Sequence, residues 1–368
     1  MNPPPGRFLL VRLAASLFAA LLAVATLAAP PAAAAARKRA VQPARRASDN
    51  AAPAAPAYGE RPDVVRFAAE VGARRGLPPD WLAMELAQAR RIEAVRKLIL
   101  PAPSGAAKNW AAYRARFIEP QRLAAGRAFW QANQAWLAEA EKRFGVPPAI
   151  VVALIGVETY YGRVTGNFRT LDALATLAFD FPPGRSDRSA YFRDELEEFF
   201  VLCAREGLDP QQPRGSFAGA MGLAQFMPGS LNRYAVDLDA DGHVDLNRSA
   251  ADAIGSVASY LAQAGWQRGE PTGFGITPPA DPAQRSALLA ADIKPSFSAA
   301  QLAAQGAVLA ADGPAYTGPL ALIELENGPA APSYVAGTAN FYAITRYNRS
   351  SYYAMAVSEM AQALGPAP

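Results

Sequence analysis

Pro147-Pro148-Ala149-Ile150-Val151-Val152-Ala153-Leu154-Ile155-Gly156-Val157-Glu158-Thr159-Tyr160-Tyr161-Gly162 opens with two prolines, runs through an almost unbroken apolar series and closes on a glycine. Proline at a helix start and glycine past its end are the expected punctuation, so a helix is predicted from Ala149 to Glu158. One carboxylate, Glu158, stands at the C-terminal end of that series. Burial at an apolar helix end disfavours its charged form and raises its pKa. The partial negative charge of the helix C-terminus acts in the same direction. Such a group can stay protonated near neutrality, act as a general acid, and act as a base once its proton is gone. Tyr160 and Tyr161 are candidates to wall the site. On this segment alone a second reading stays open: an ordinary glutamate at a helix end, solvated or paired with Arg163.

Outward from this segment the chain reads as mostly helical. Helices are predicted over 62–75, from Pro79 through Leu86, over 120–144 as one long element, and over 170–179, 191–206, 217–226 and 252–264. Beyond Gly265 glycine and proline recur and the helical period fades until about Thr338. Short apolar runs such as 320–325 predict a small β-containing subdomain there. Residues 341–364 return to helix. The fold class is therefore mainly α, of α+β type. The expected organisation is a signal over 1–36, an Ala/Pro/Arg-rich linker over 37–58, a helical domain over 59–145, and a core over 146–264. A β subdomain over 265–338 and a C-terminal helical segment over 339–368 completing the core follow.

Composition narrows the chemistry. The chain has 368 residues, of which 51% are hydrophobic and 18% charged, too apolar for a disordered chain. The net charge of +4 is uneven. Residues 1–50 hold seven basic side chains and one acid, leaving 29 basic against 31 acidic in the remainder. The folded part therefore gives no argument for nucleic acid as a partner. One histidine, His243, and one cysteine, Cys203, exclude an H-E-x-x-H site, a Cys/His zinc cluster and an internal disulfide. A Ser-His-Asp triad would need His243 itself. Carboxylates, tyrosines, amides or a bound ion must do the chemistry.

Arg7 and Arg12 precede an apolar run over 13–29, followed by Pro30, Pro31 and an alanine tract with A-x-A sites. This is the pattern of a secretory signal, and the periplasm is the expected location. An uncleaved anchor is the alternative; no cysteine lies near the cleavage region for a lipid anchor, and the five basic residues of the linker are candidates for anionic lipid or an acidic polymer, with a solvated run the plainer reading.

Two further segments offer polar groups to a ligand. Gly215-Ser216-Phe217-Ala218-Gly219-Ala220-Met221-Gly222-Leu223-Ala224-Gln225-Phe226-Met227-Pro228 combines glycines that allow close backbone approach with Ser216 and Gln225; tight helix packing is its plainer reading. In the run 341–355, Tyr347, Asn348 and Tyr353 join flat faces to hydrogen-bonding tips, which suits sugar rings, although aromatics at helical spacing are more often core. Asp237-Leu238-Asp239-Ala240-Asp241-Gly242-His243-Val244-Asp245 has alternate oxygen ligands with glycine at the sixth position, the turn of an EF-hand loop around Ca²⁺. His243 would supply its backbone carbonyl. Arg248 stands at the twelfth position, where a standard loop has glutamate. An acidic surface turn is the alternative.

Taken together, I-G-V-E-T-x-x-G-R, L-D-A-L-A-T-L, G-S-F-A-G-A-M-G-x-x-Q-F-M-P, D-A-I-G-S-V-A-x-Y and F-Y-x-I-T-R-Y-N resemble the membrane-bound lytic murein transglycosylase B family. The resemblance spans roughly 63–266 and resumes over 340–363. It implies a lysozyme-like catalytic core and cleavage of the β-1,4 bond between N-acetylmuramic acid and N-acetylglucosamine in peptidoglycan, leaving 1,6-anhydro ends. By position it makes Glu158 the sole acid/base, puts Ser216 and Gln225 near the reacting sugar, and puts Tyr113, Phe226, Tyr260, Tyr347, Asn348 and Tyr353 at saccharide-contacting places. It ends the calcium loop on an aspartate, for which Asp252 is the candidate, giving Asp237, Asp239, Asp241, His243 and Asp252 as ligands of a structural Ca²⁺. No organic cofactor is expected. The loop 181–192 is longer than the family's form, and neither Arg185 nor Arg188 is a clean match for its arginines. Asp172, Asp180 and Glu195 stay open as a second carboxylate. Peptidoglycan glycan strands are the expected partner of a monomer, with peptidoglycan synthases a further candidate. A hydrolytic muramidase and an inactive peptidoglycan-binding scaffold are the alternatives.

Overall fold

The apolar series becomes the helix Pro148–Thr159, in which Val152, Ala153, Leu154 and Ile155 are all 0% exposed. A helix that is apolar on every side has to be surrounded. Four others pack on it: Pro120–Ala132, Gln134–Phe144, Ala250–Gln263 and Ser351–Leu364. Each fully buried Leu, Ile or Val contributes about 1.5–3 kcal/mol relative to exposure. The first turn begins at Pro148, where a missing N–H costs nothing. The computed structural model describes residues 58–101 and 108–365. The signal expected over 1–36, and the linker up to residue 57, lie outside the described residues. Tyr58, placed in the linker by composition, is instead 3% exposed and donates its hydroxyl to Asp180 at 2.7 Å.

Among the described residues the fold is mainly helical with two small sheets. Phe168–Arg169 (β1) pairs antiparallel with Arg214–Gly215 (β2). Gly273–Thr277 (β3), Val308–Leu309 (β4), Ala321–Asn327 (β5) and Ala330–Gly337 (β6) form a second antiparallel sheet in the order β4-β3-β6-β5. These strands fall in the stretch where glycine and proline interrupt the helical period. Two short helices among them, Pro282–Leu289 and Ala299–Ala304, carried too weak a pattern to be expected. Leu288, Leu302, Leu320, Leu322 and Ala336 make a small core of their own.

Three expected helices are corrected. The long element over 120–144 breaks at Asn133, whose backbone leaves helical geometry while its side-chain amide donates to Phe129 O at 2.8 Å. Asparagine competes for backbone groups in this way. The C-terminal element is two helices, Ala339–Tyr347 and Ser351–Leu364, parted by extended Asn348 and restarted by the Ser350 cap. The segment 217–226 is not helical. It is a series of turns with bridges Gly215 to Met221 and Met221 to Phe226. Positive φ at Gly219 (88°), Gly222 (73°) and Gln225 (50°) is incompatible with a right-handed helix. A Cβ on Gly222 would collide with Leu246 O, so the loop can lie this close only with glycine there.

Asn340 ties the C-terminal helices to the start of the sheet. Asn340 is 0% exposed; its Oδ1 accepts from Gln267 N at 2.7 Å, and its Nδ2 donates to Gln267 O and Glu270 O at 2.8 and 2.7 Å. Asn340→Ala leaves these backbone groups unmatched and is expected to cost about 3 kcal/mol in urea unfolding. A loss below about 0.5 kcal/mol would show that the loop is held by other means.

Candidate active site

The Glu158 helix ends abruptly. Tyr160 and Tyr161 take consecutive left-handed conformations, φ 53° and 58°, each costing about 1–3 kcal/mol for a side-chain-bearing residue. Thr159 sets the direction of exit. Its buried hydroxyl donates to Leu223 O at 2.9 Å and accepts from Gly162 N at 3.0 Å, tying the helix end to the 215–228 loop. Arg122 donates to Gly156 O at 2.7 Å, and its guanidinium carbon lies 4.4 Å from the centre of the Tyr160 ring. Arg163 lies over the same ring at 4.6 Å, so the pairing of Arg163 with Glu158 is not formed. The Tyr161 ring stacks on Phe129 at 5.3 Å between helices instead of walling the site.

Glu158 is half-buried, and its Oε1 accepts a hydrogen bond from Tyr353 Oη at 2.6 Å. Burial pushes its carboxyl up to about 7, while the Tyr353 bond pulls modestly the other way. Burial holds the Tyr353 and Tyr347 phenols far above their ordinary range, so both are neutral donors. No second carboxylate adds to the Glu158 shift. The three open candidates are engaged elsewhere. Asp172 accepts from Arg90 N and Arg169, Asp180 from Tyr58 and Arg61, and Glu195 from Gly229 N at 2.8 Å.

Of the expected sugar-contacting residues, Tyr353, Tyr347 and Tyr113 lie close to this carboxyl, and Tyr260 and Phe226 pack against Tyr347. Tyr353 and Tyr347 are nearly parallel, with ring centres 6.4 Å apart. The Tyr347 hydroxyl donates to Ala224 O, joining the C-terminal segment to the 215–228 loop. Tyr260 packs edge-on to Tyr347 at 4.8 Å, with its hydroxyl on Arg346 O at 2.5 Å. Phe226 is 2% exposed beneath Tyr260 and Tyr347, so its ring backs the other two and offers little face to a ligand. Tyr113 is half-buried between Phe117 and Tyr352, and burial first, then the nearby Glu158 charge, raises its phenol to about 12. Gln225 spends its amide N–H groups on Thr165 O and Gly222 O, leaving its carbonyl oxygen free of these bonds. Ser216 Oγ accepts from Ala218 N and Ala220 N. Asn348 Oδ1 is buried with no partner, an acceptor left for a ligand N–H. Arg185 donates to Ile99 O at 2.7 Å, and Arg188 lies over Tyr191 at 4.5 Å. Arg122 was missed by sequence reasoning. It lies 34 positions from the carbonyl it holds, and no local pattern marks it.

The acidic loop partly matches its EF-hand reading. Asp237, Asp239 and Asp252 bring ligand oxygens within 4.8 Å of one another. Asp239 Oδ1 is buried and has no hydrogen-bond partner, which fits an oxygen that ligates a cation. Asp252, 1% exposed, also closes the loop by accepting Leu238 N and Asp245 N. Its carboxyl is pushed up by burial and by the charges of Asp239 and Asp237. Asp241 is exposed and turned to His243 N, outside that cluster, and the His243 side chain is exposed.

A helical core presenting one desolvated carboxyl beside stacked tyrosines has the form of a lysozyme-like enzyme. Residues 59–362 match the transglycosylase SLT domain, and the chain belongs to that family. It is 39% identical over 316 residues to membrane-bound lytic murein transglycosylase B of Escherichia coli strain K12, covering 83% of this chain and 84% of the relative. Among solved structures, soluble lytic transglycosylase SltB1 from Pseudomonas aeruginosa aligns with a TM-score of 0.74 at 39% identity, over 82% of this chain and 98% of that one. An Escherichia coli lytic transglycosylase in complex with calcium aligns with a TM-score of 0.73 at 39% identity, over 83% and 93%.

The raised Glu158 carboxyl has a stability consequence. In the unfolded chain it ionises near 4.5, and in the native state near 7, so the native state holds the proton longer. Stability is greatest below the lower value and is lost as pH rises towards the upper one. Glu158→Gln carries no such loss. Its stability relative to the parent is expected to grow by up to about 3 kcal/mol between pH 4 and 8 in denaturant titrations. A pH-independent difference would contradict the buried, protonated carboxyl.

Proposed function

We propose that this lytic transglycosylase cleaves the β-1,4 MurNAc–GlcNAc bond of peptidoglycan with Glu158 as its one acid/base. The observation that supports this is the Tyr353-held carboxyl with no carboxylate partner. Most glycosidases flank the bond with two carboxylates; a single one suffices when the substrate supplies the attacking oxygen. Protonated Glu158 donates to the glycosidic oxygen as the C1–O4 bond breaks. The 2-acetamido oxygen of the muramic acid shields the anomeric carbon. Carboxylate Glu158 then takes the proton from the O6 hydroxyl as O6 closes on C1, giving the 1,6-anhydro end without consuming water.

The other polar groups orient the sugar. The free Gln225 carbonyl accepts from O6–H or the acetamido N–H, Ser216 donates its hydroxyl proton, and Asn348 Oδ1 takes a ligand N–H. Tyr113, Tyr260 and Tyr347 offer ring faces to saccharide, and Phe226 supports them. Tyr353 holds Glu158 in place and donates to it once it is ionised. Glu158→Gln is expected to lower the rate of sacculus solubilisation by about 10²–10⁴-fold. Mass analysis of wild-type digests is expected to give anhydro ends; reducing ends would establish the hydrolytic reading instead.

Asp237, Asp239 and Asp252 fit a Ca²⁺ held by carboxylates, with the His243 carbonyl and Asp241 completing the shell after a turn of its side chain. The ion would neutralise the loop's charge and hold the helix Ala250–Gln263 against the Glu158 helix; its role is stability. Added Ca²⁺ is expected to raise the melting temperature of chelator-treated protein by several degrees and to leave Asp239→Ala unmoved. Equal melting with and without Ca²⁺ would remove the site. We place the enzyme in the periplasm through the signal over 1–36, acting on glycan strands as a monomer. Among the described residues no helix is long and apolar enough to cross a membrane.

A further inference from the structure

We propose that Tyr161 is a positioning residue for Glu158: its ring is a plug seated in a notch left by Gly126 and Gly156, and seating it fixes the turn on which the catalytic carboxyl stands. Gly126 is buried in the helix Pro120–Ala132, and Gly156 in the Glu158 helix, two residues before the acid. A Cβ added at either glycine would collide with the same atom, Tyr161 Oη. The two helices therefore meet around one phenol, and only the absence of both side chains makes room for it. Phe129 stacks on the ring at 5.3 Å, and the left-handed φ of 58° aims Tyr161 back into the bundle three residues after Glu158.

The hydroxyl of this plug is not what seats it. Tyr161 Oη is buried and has no hydrogen-bond partner. A buried hydroxyl without a partner is a cost, so the ring's shape and stacking must carry the placement. The neighbouring Tyr160 is gripped separately by Arg122, which also donates to Gly156 O, the carbonyl that receives Tyr160 N at 3.1 Å. Both residues after the Glu158 helix are thus clamped against its last turn, one by a cation and one by a notch. A shift of about 1 Å in a reacting group can cost 10²-fold in rate. An unplugged notch would also admit water to the apolar end of the helix, where burial keeps the Glu158 carboxyl high.

This inference rests on the reading of Glu158 as the proton donor. The test uses the full exported chain and soluble peptidoglycan fragments, with circular dichroism as the fold check. Tyr161→Leu empties the aromatic plug without a clash. It is expected to lower kcat by about 10²-fold with little change in KM, and to move the upper limb of the pH–rate profile to lower pH. Tyr161→Phe keeps the plug and should retain the wild-type pH limb. Gly126→Ala should behave like Tyr161→Leu. The double variant Gly126→Ala/Tyr161→Phe should recover most of the lost kcat, because removing the hydroxyl leaves the new methyl facing Cζ at 3.1 Å and the flexible end of Leu364. The proposal is overturned if Tyr161→Leu keeps the wild-type kcat and pH limb, or if Tyr161→Phe is as damaging as Tyr161→Leu. Glu158→Gln is run beside them: cleavage by that variant would sink the acid itself, whatever the plug does.

Discussion

A carboxyl group that is kept from water but not from a ligand is expensive, and the architecture around Glu158 is arranged to bear that expense. Removing the carboxylate from water favours its protonated form, and the Tyr353 hydroxyl at 2.6 Å is the one strong polar contact it keeps. The phenol offsets part of the desolvation when the carboxylate forms, so the group can cycle between acid and base in place. A more exposed glutamate would be ionised before it met the glycan. A more deeply buried one would hold its proton and never return to the base form. The value near 7 sits between these limits.

The rest of the fold serves that balance. Four helices enclose the apolar helix, so its C-terminal residue is delivered to the edge of the core by packing rather than by a flexible loop. Thr159 and the Tyr347 hydroxyl then attach two distant segments, the 215–228 loop and the C-terminal helices, to the same point. The positive-φ residues Gly219, Gly222 and Gln225 shape that loop, which Thr159 and Tyr347 tie to the segments bearing Glu158 and Tyr353. Of the six side-chain-bearing residues at positive φ among the described residues, three, Tyr160, Tyr161 and Gln225, fall in the two segments joined at the end of the Glu158 helix, where packing is dense enough to hold the strain.

Much of this was legible in the sequence, for identifiable reasons. Helices bounded by proline and glycine, such as Pro62–Arg75 and Pro148–Thr159, announce their own ends. Glu158 stands out because it is the only charge in a run of buried aliphatics. The segment 217–226 misled because its apolar spacing imitates a helix, while its glycines are there for left-handed turns. The break at Asn133 was hidden because one asparagine in a helical pattern is ordinary until its side chain takes the Phe129 carbonyl. Contacts across long separations have no local signature. Tyr353 meets Glu158 from 195 positions away; the resemblance marked Tyr353 as a saccharide-contacting position but not as the partner of the acid.

The most direct test of a desolvated, reversible acid is the titration of its own carboxyl. The carboxyl carbon of ¹³C-labelled glutamate can be followed by NMR from pH 4 to 9, with the Glu158→Gln spectrum assigning the missing signal. A titration centred close to 7, moving further upward in Tyr353→Phe, is the expected result, because the phenol stabilises the ionised form. A signal titrating near 4.5 and indifferent to Tyr353 would contradict the account.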